Sequence, residues 1–205
     1  MISVLKTSAS NTRSLINALK YLDLKFKLTS DISELKKSTH IILPGVGSYM
    51  NLINYINKNF DYKELVETIN DKDKYFLGIC VGMQILSDFG FEIEKTKGLG
   101  LISGEVKKIN TNLKLPHVGW NSVFFKKEDL LFKDISSKTE FYFTHSYEFL
   151  TKSSDNVLAE ALYDKQITSI IKKNNIYGFQ FHPEKSSQNG LQVIHNFIDL
   201  CILDT

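Results

Sequence analysis

A cysteine set between two glycines, in Gly78-Ile79-Cys80-Val81-Gly82, carries the strongest chemical signal in this sequence. A sharp strand-to-helix turn holds its central residue in a strained conformation and leaves little room on either flank. Glycine two positions before and two after supplies that room. Such a turn would expose the sulfur at the carboxyl end of a strand, with a helix N-terminus behind it favouring the thiolate. The backbone N–H of Val81 would be free to face an oxyanion. The same five residues also suit a buried cysteine with chance glycine neighbours, so the turn alone leaves both readings open.

A thiol nucleophile needs a base, and the base needs an acceptor to orient it. Phe181-His182-Pro183-Glu184 offers both, because side chains two apart on an extended segment share a side and Pro183 disfavours helix there. By itself the segment reads equally as a surface turn. A third element is the glycine-rich turn Leu43-Pro44-Gly45-Val46-Gly47-Ser48, which can aim backbone N–H groups at an anion. It lacks the Lys-Ser/Thr ending of a nucleotide P-loop, and an ordinary strand-to-helix turn would look similar.

These segments must be carried by a folded core. The chain of 205 residues fits one domain, 1–205, and is 42% hydrophobic and 12% aromatic, which argues against disorder. Ile2 to Leu5, Leu24 to Leu28, Ile41 to Leu43 and Tyr75 to Ile79 read as strands. Between them, helical spacing runs through Asn11 to Leu22, Met50 to Lys58 and Tyr62 to Asn70, with Asp31 or Ser30 capping a brief helix. Apolar strands alternating with helices predict an α/β fold with a central, mostly parallel sheet covered on both sides. After Gly98 the texture changes to strands with short connections: Gly104 to Ile109, Val118 to Phe125, Glu140 to Phe149, Val157 to Leu162, Gln166 to Lys172 and Tyr177 to Phe181. A closing helix carries Leu191, Ile194, Ile198 and Cys201 on one stripe.

With these blocks in view, the sequence resembles the class I (triad) glutamine amidotransferases. Phe76-Leu77-Gly78-Ile79-Cys80-Val81-Gly82-Met83-Gln84, followed far downstream by Phe179-Gln180-Phe181-His182-Pro183-Glu184, carries that resemblance. Leu43-Pro44-Gly45-Val46-Gly47, Pro116-His117-Val118-Gly119-Trp120-Asn121, Phe141-Tyr142-Phe143-Thr144-His145-Ser146-Tyr147 and His182-Pro183-Glu184-Lys185-Ser186 narrow it to the glutaminase subunits of imidazole glycerol phosphate synthases. The resemblance implies a flavodoxin-like fold with added antiparallel strands in the second half. It implies Cys80 as nucleophile, His182 as proton carrier and Glu184 as its orienter. The oxyanion donors would be Val81 and Gly45 or Val46, and the glutamine pocket Gly47, Gln84, Ser146 and Tyr147. Asn11, Trp120, Asn121, Tyr142 and Lys185 would face a (β/α)₈-barrel cyclase in a one-to-one heterodimer. Ammonia would cross to that cyclase, which makes imidazole glycerol phosphate and AICAR in histidine biosynthesis.

One block departs from the family: Lys6-Thr7-Ser8-Ala9-Ser10-Asn11 keeps an asparagine but lacks the usual glycines. That leaves open a paralogue feeding ammonia to another acceptor, such as a nucleotide-sugar amidotransferase, or a stand-alone γ-glutamyl hydrolase. His40, His195 and Cys201 read as structural, and His117 and His145 as folding or interface residues. No Cys/His spacing suggests a metal site, and no cofactor is implied. A formal charge of +2 gives no footprint for nucleic acid or an anionic membrane. The start of the chain does not read as a signal peptide, no apolar run spans a bilayer, and cytosol is the expected compartment.

Overall fold

Segments apolar on both faces form the centre of the molecule. The computed structural model describes residues 1–7 and 12–203, with side chains up to residue 200. Its first part comprises β1 (Ile2–Leu5), α1 (Thr12–Tyr21), β2 (Phe26–Thr29), α2 (Ile32–Lys36), β3 (His40–Gly45), α3 (Tyr49–Asn59), α4 (Tyr62–Ile69), β4 (Tyr75–Cys80) and α5 (Val81–Gln84). Every residue of β1, β3 and β4 is buried, as parallel strands covered on both faces require. β2 alternates less cleanly and stands at the edge of the sheet.

Helices cover these strands with apolar residues three and four apart: Leu15, Ala18 and Leu19 in α1, Leu52, Ile53 and Ile56 in α3, Leu65 and Ile69 in α4. Burying each of these leucine and isoleucine side chains stabilises by about 1.5–3 kcal/mol. Side chains of Asp31, Ser48 and Asp61 accept from the backbone N–H of Ser33, Asn51 and Glu64, and so cap α2, α3 and α4.

The second part comprises β5 (Phe89–Phe91), β6 (Lys95–Lys97), β7 (Gly104–Lys108), β8 (His117–Phe125), β9 (Thr139–His145), β10 (Tyr147–Thr151), β11 (Val157–Tyr163), β12 (Lys165–Lys173), β13 (Ile176–Phe179) and α6 (Ser187–Leu203). Among the described residues one sheet has nine strands, in the order β2-β1-β3-β4-β13-β12-β11-β8-β9. Its first five are mutually parallel, and from β13 to β9 neighbours run antiparallel. A smaller sheet, β10-β7-β5-β6, packs beside it. The expected α/β architecture is therefore present, with its antiparallel half extending the same sheet.

Several local expectations need correction. Glu140 to Phe149 is not one strand: it breaks at Ser146, so that β9 joins the large sheet and β10 the small one. The break lets Phe141, Phe143 and His145 point into one core while Phe149 enters another region of it, and the Ser146 carbonyl accepts from Ile109 N–H. The helix after Cys80 lasts only four residues, because the carbonyls of Ile85 and Leu86 are taken by the N–H groups of Leu99, Leu101 and Ile102. The short strands β5 and β6 had no counterpart in the sequence reading. On α6 the buried stripe is Val193, Ile194, Phe197 and Leu200, rotated from the expected one. Leu191 and Ile198 flank it, partly buried.

Candidate functional site

Three adjacent parallel strands, β3, β4 and β13, end at the same edge of the sheet. In register, Gly45 pairs with Cys80 and Ile79 with Phe179, so the chain after each strand emerges beside the others. Cys80 is the last residue of β4 and sits at φ 54°, ψ −111°, a conformation that side chains rarely adopt. The turn is held by contact between backbones. A Cβ on Gly45 would fall 2.2 Å from the Gly82 nitrogen, and one on Gly82 would fall 2.2 Å from the Leu43 carbonyl oxygen. A Cβ on Gly78 would meet Gly82 O at 2.4 Å. The glycines therefore serve packing of the Cys80 turn on β3 as well as its own curvature.

His182 follows β13 and faces Cys80. Its Nδ1 donates to Glu184 Oε1 at 2.8 Å, and the other side of the ring hydrogen-bonds the Cys80 sulfur. Burial opposes charge on His182, but the hydrogen bonds and negative charges of Cys80 and Glu184 outweigh it and lift its pKa from 6.5 to about 9. The sequence pattern predicts His182 and Glu184 side by side on an extended segment. Instead Pro183–Lys185 is a single 3₁₀ turn with Pro183 at its start, and that turn brings the carboxylate back to the ring. The turn is clamped from β9: His182 N–H donates to Tyr142 O at 2.9 Å, and Tyr142 N–H donates to Ser186 Oγ at 2.9 Å. Ser186 Oγ in turn donates to His182 O at 2.6 Å.

A cavity of about 350 Å³ opens over Cys80, a size suited to a small polar ligand. Of the residues named from sequence, it is lined by Val46, Gly47, Val81, Gln84, Ser146 and Tyr147. Cys80, His182 and Lys185 also border it. Gly45 lies beneath, in register with Cys80, and Glu184 stands behind His182. Gly47 adopts φ 94°, which glycine alone reaches without strain. Both N–H groups of the Gln84 amide are occupied, by Tyr147 O at 3.1 Å and Gln180 Oε1 at 3.0 Å, so it presents only an acceptor oxygen to a ligand.

Two neighbours of the site had not been singled out. Glu92 lines the cavity, held by a 2.6 Å hydrogen bond from Tyr49 N–H to its Oε2 and by Tyr147 Oη donating to its backbone carbonyl. No periodicity or motif marks it, since it follows the short strand β5. Gln180 lies two residues before His182, fully buried with Nε2 3.8 Å from Cys80 Sγ. Among the described residues no group of three His, Cys, Asp or Glu side chains is arranged to hold a metal ion.

The interface candidates divide. Trp120 pairs with Tyr142 across β8 and β9, and their rings meet edge to face at 6.2 Å. Lys185 Nζ stands 5.9 Å from the centre of the Tyr142 ring. Trp120 is 48% exposed and Val118 56%, on one outer face that reaches the cavity rim at Thr144 and Lys185. Asn121 faces the other way, its amide donating to Leu162 O at 2.9 Å and to His117 Nε2 at 3.2 Å. Asn11 lies outside the described residues.

His117 Nδ1 meets His145 Nε2 at 3.1 Å, and His145 Nδ1 donates to Tyr147 O at 2.8 Å. Burial pulls the pKa of both down from 6.5, to about 4 for His117 and about 3 for His145, and that of buried His40 to about 4. His195 instead pairs with Asp199 at the surface of α6. Since the unfolded chain binds protons near pH 6.5 that the three buried imidazoles refuse, stability should fall as pH drops below 6.5 toward 4. His182 works in the opposite sense: its contribution is complete below 6.5 and is lost as pH rises through about 9. Urea unfolding between pH 6.5 and 4.5 should show the acid-side decline, and a constant midpoint there would contradict the neutral buried histidines.

A cysteine at the end of a parallel strand, with an imidazole and carboxylate beside it, defines an α/β enzyme of the cysteine-nucleophile class. The chain belongs to the glutamine amidotransferase class-I family, whose model matches residues 3–200. It is 39% identical to the imidazole glycerol phosphate synthase subunit HisH of Pelagibacter ubique, over 97% of this chain and 99% of that one. With the HisH of Methanocaldococcus jannaschii it shares 40% identity over 98% of this chain and 100% of the relative. The fold is also similar to a solved glutamine amidotransferase (TM-score 0.77, 17% identity, 98% of both chains). It is likewise similar to PurLQS from Thermotoga maritima (TM-score 0.74, 20% identity, 97% of both chains).

Proposed function

We propose that this chain, one domain over residues 1–205, is the glutaminase subunit of an imidazole glycerol phosphate synthase. The observation that carries this is the near-complete alignment, at 39–40% identity, with subunits of that name. The meeting of Cys80 and His182 in one cavity, with Glu184 behind the imidazole, supports the chemistry.

Cys80 thiolate adds to the carboxamide carbon of glutamine, and the backbone N–H groups of Val81 and of Gly45 or Val46 receive the oxyanion. His182 gives its proton to the departing nitrogen, so ammonia leaves and a glutamyl thioester remains. Water then attacks, His182 takes the water proton, and glutamate departs as the thiolate re-forms. Glu184 holds Nδ1 so that Nε2 faces the reacting atoms. Gln84 Oε1 and the Glu92 carboxylate are acceptors at the cavity wall, suited to the α-ammonium group of glutamine.

The outer face carrying Trp120, Tyr142 and Lys185 receives the (β/α)₈-barrel cyclase in a one-to-one heterodimer. Ammonia passes to it at the rim where Lys185 borders both the face and the cavity. Trp120→Ala should weaken that association by about 2 kcal/mol or more, read by titration calorimetry, because an exposed aromatic at an interface centre is a typical anchor. Unchanged affinity would place the partner elsewhere. The function is tested by glutamate release from glutamine with and without the cyclase and its ligand. Release that is strongly stimulated by both supports the synthase reading. Full release by the isolated chain, or preference for γ-glutamyl peptides, would refute it.

A further inference from the structure

Gln180 links the end of β13 to the Phe181-His182 turn, fully buried, and its backbone N–H donates to Ser169 O at 2.9 Å. Its side chain lies between two partners: Oε1 accepts from Gln84 Nε2 at 3.0 Å, and Nε2 lies 3.8 Å from Cys80 Sγ. The polarity of this chain is determined at its far end. A backbone carbonyl only accepts, so Gln84 must turn its NH₂ toward Tyr147 O, 3.1 Å away. That NH₂ also faces Gln180, which must answer with its oxygen. Its own NH₂ is thereby committed to the sulfur. The Tyr147 carbonyl is pinned from the other side by His145 Nδ1 at 2.8 Å, so neither amide gains by reversing.

We propose that Gln180 is a catalytic residue, a second hydrogen-bond donor beside His182 that holds the Cys80 thiolate in place for attack. The proposal rests on the glutaminase reading of Cys80 and adds a group which that reading does not use. An N–H directed at a buried anion stabilises it and restricts its rotamer, and a buried site is where such a bond has most effect. Once sulfur has entered the thioester it carries no charge, and the bond weakens. Gln180 therefore belongs to the resting nucleophile, whereas the backbone N–H groups of Val81 and its neighbours belong to the oxyanion. Gln84 acts one step removed, as the residue that orients Gln180.

The test is the pH dependence of Cys80 alkylation by iodoacetamide, which reads the thiolate directly without substrate or partner. Gln180→Met removes the donor at similar volume and Gln180→Glu replaces it with an anion at nearly the same shape. Both should shift the alkylation profile to higher pH, with Gln180→Glu shifted further. Thiolate reactivity at pH 7 should fall on the order of tenfold for Gln180→Met, the usual effect of losing a hydrogen bond to a charged group. In glutamate release with the partner present, kcat should fall with little change in KM. Folded variants with the wild-type alkylation profile would overturn the proposal, whatever their turnover. If Gln180→Met does not fold, the isosteric Gln180→Glu decides by the same profile. Failure of the glutaminase reading would show separately, as wild-type protein that alkylates normally but releases no glutamate under any partner condition.

Discussion

Replacing Cys80 by alanine is expected to lower glutamate release by about 10⁴-fold or more, since the atom that forms the thioester is gone and only binding and oxyanion donors remain. The substitution is well suited to test chemistry apart from folding. Cys80 is nearly fully buried, and the turn around it is held by backbone contacts of Gly45, Gly78 and Gly82, none of which the sulfur makes. Its φ of 54° is borne by the cysteine already, so alanine meets the same backbone strain. Circular dichroism and partner binding should therefore match the parent, while release of glutamate vanishes from a coupled assay. Persistent activity would remove Cys80 from the mechanism. Glu184→Gln provides the contrast. An amide oxygen can still accept from His182 Nδ1 in place of Oε1, so orientation is retained in part while the negative charge is lost. Its loss should be smaller than that of Cys80→Ala, and equal losses would mean that orientation of His182 matters as much as the nucleophile.

Gly82→Ala is expected to damage fold and activity together. The new methyl would lie 2.2 Å from the Leu43 carbonyl oxygen, and that oxygen belongs to β3, which cannot swing aside as a side chain could. Either β3 moves or the Cys80 turn lifts away from it. Overpacking of this kind typically costs about 1–3 kcal/mol, and contact with backbone puts it at the upper end or beyond. Because Gly82 stands two residues from Cys80, a lifted turn also displaces the sulfur from His182, and misplacement by about 1 Å is enough for a hundredfold loss of rate. Urea unfolding and glutamate release should both report the change. A variant as stable and active as the parent would show that the close approach of these backbones has no consequence.

The outer face proposed for the partner and the catalytic turn are joined through Tyr142. Tyr142 offers its ring to the outer surface and its backbone to His182 and Ser186. Pressure on β9 from a docked subunit would thus reach the loop that carries the base. Of the divergent segment Lys6 to Ser10, the part after Thr7 lies outside the described residues.

The pattern of the chain marked most of the elements that form and the residues that could carry chemistry. The apolar runs at Ile2 to Leu5, Ile41 to Leu43 and Tyr75 to Ile79 read as buried strands, which they are, and a cysteine between glycines already implied a tight turn. Asp31 could be read as a helix cap because capping depends on one side chain and a few nearby amides. What sequence could not decide was anything set by contacts between distant segments. The helix after Cys80 stops after one turn because its carbonyls find partners near residue 100, not because of its own residues. The break at Ser146 exists because two sheets need strands at different places. Glu92 and Gln180 acquired their places only when β4, β10 and β13 came together around Cys80. The same holds for the cysteine turn itself. Sequence marked Cys80 as a nucleophile in a strained turn, whereas its clasp by β3 and its neighbours His182 and Gln180 follow from the pairing of parallel strands far apart in the chain, which no local pattern encodes.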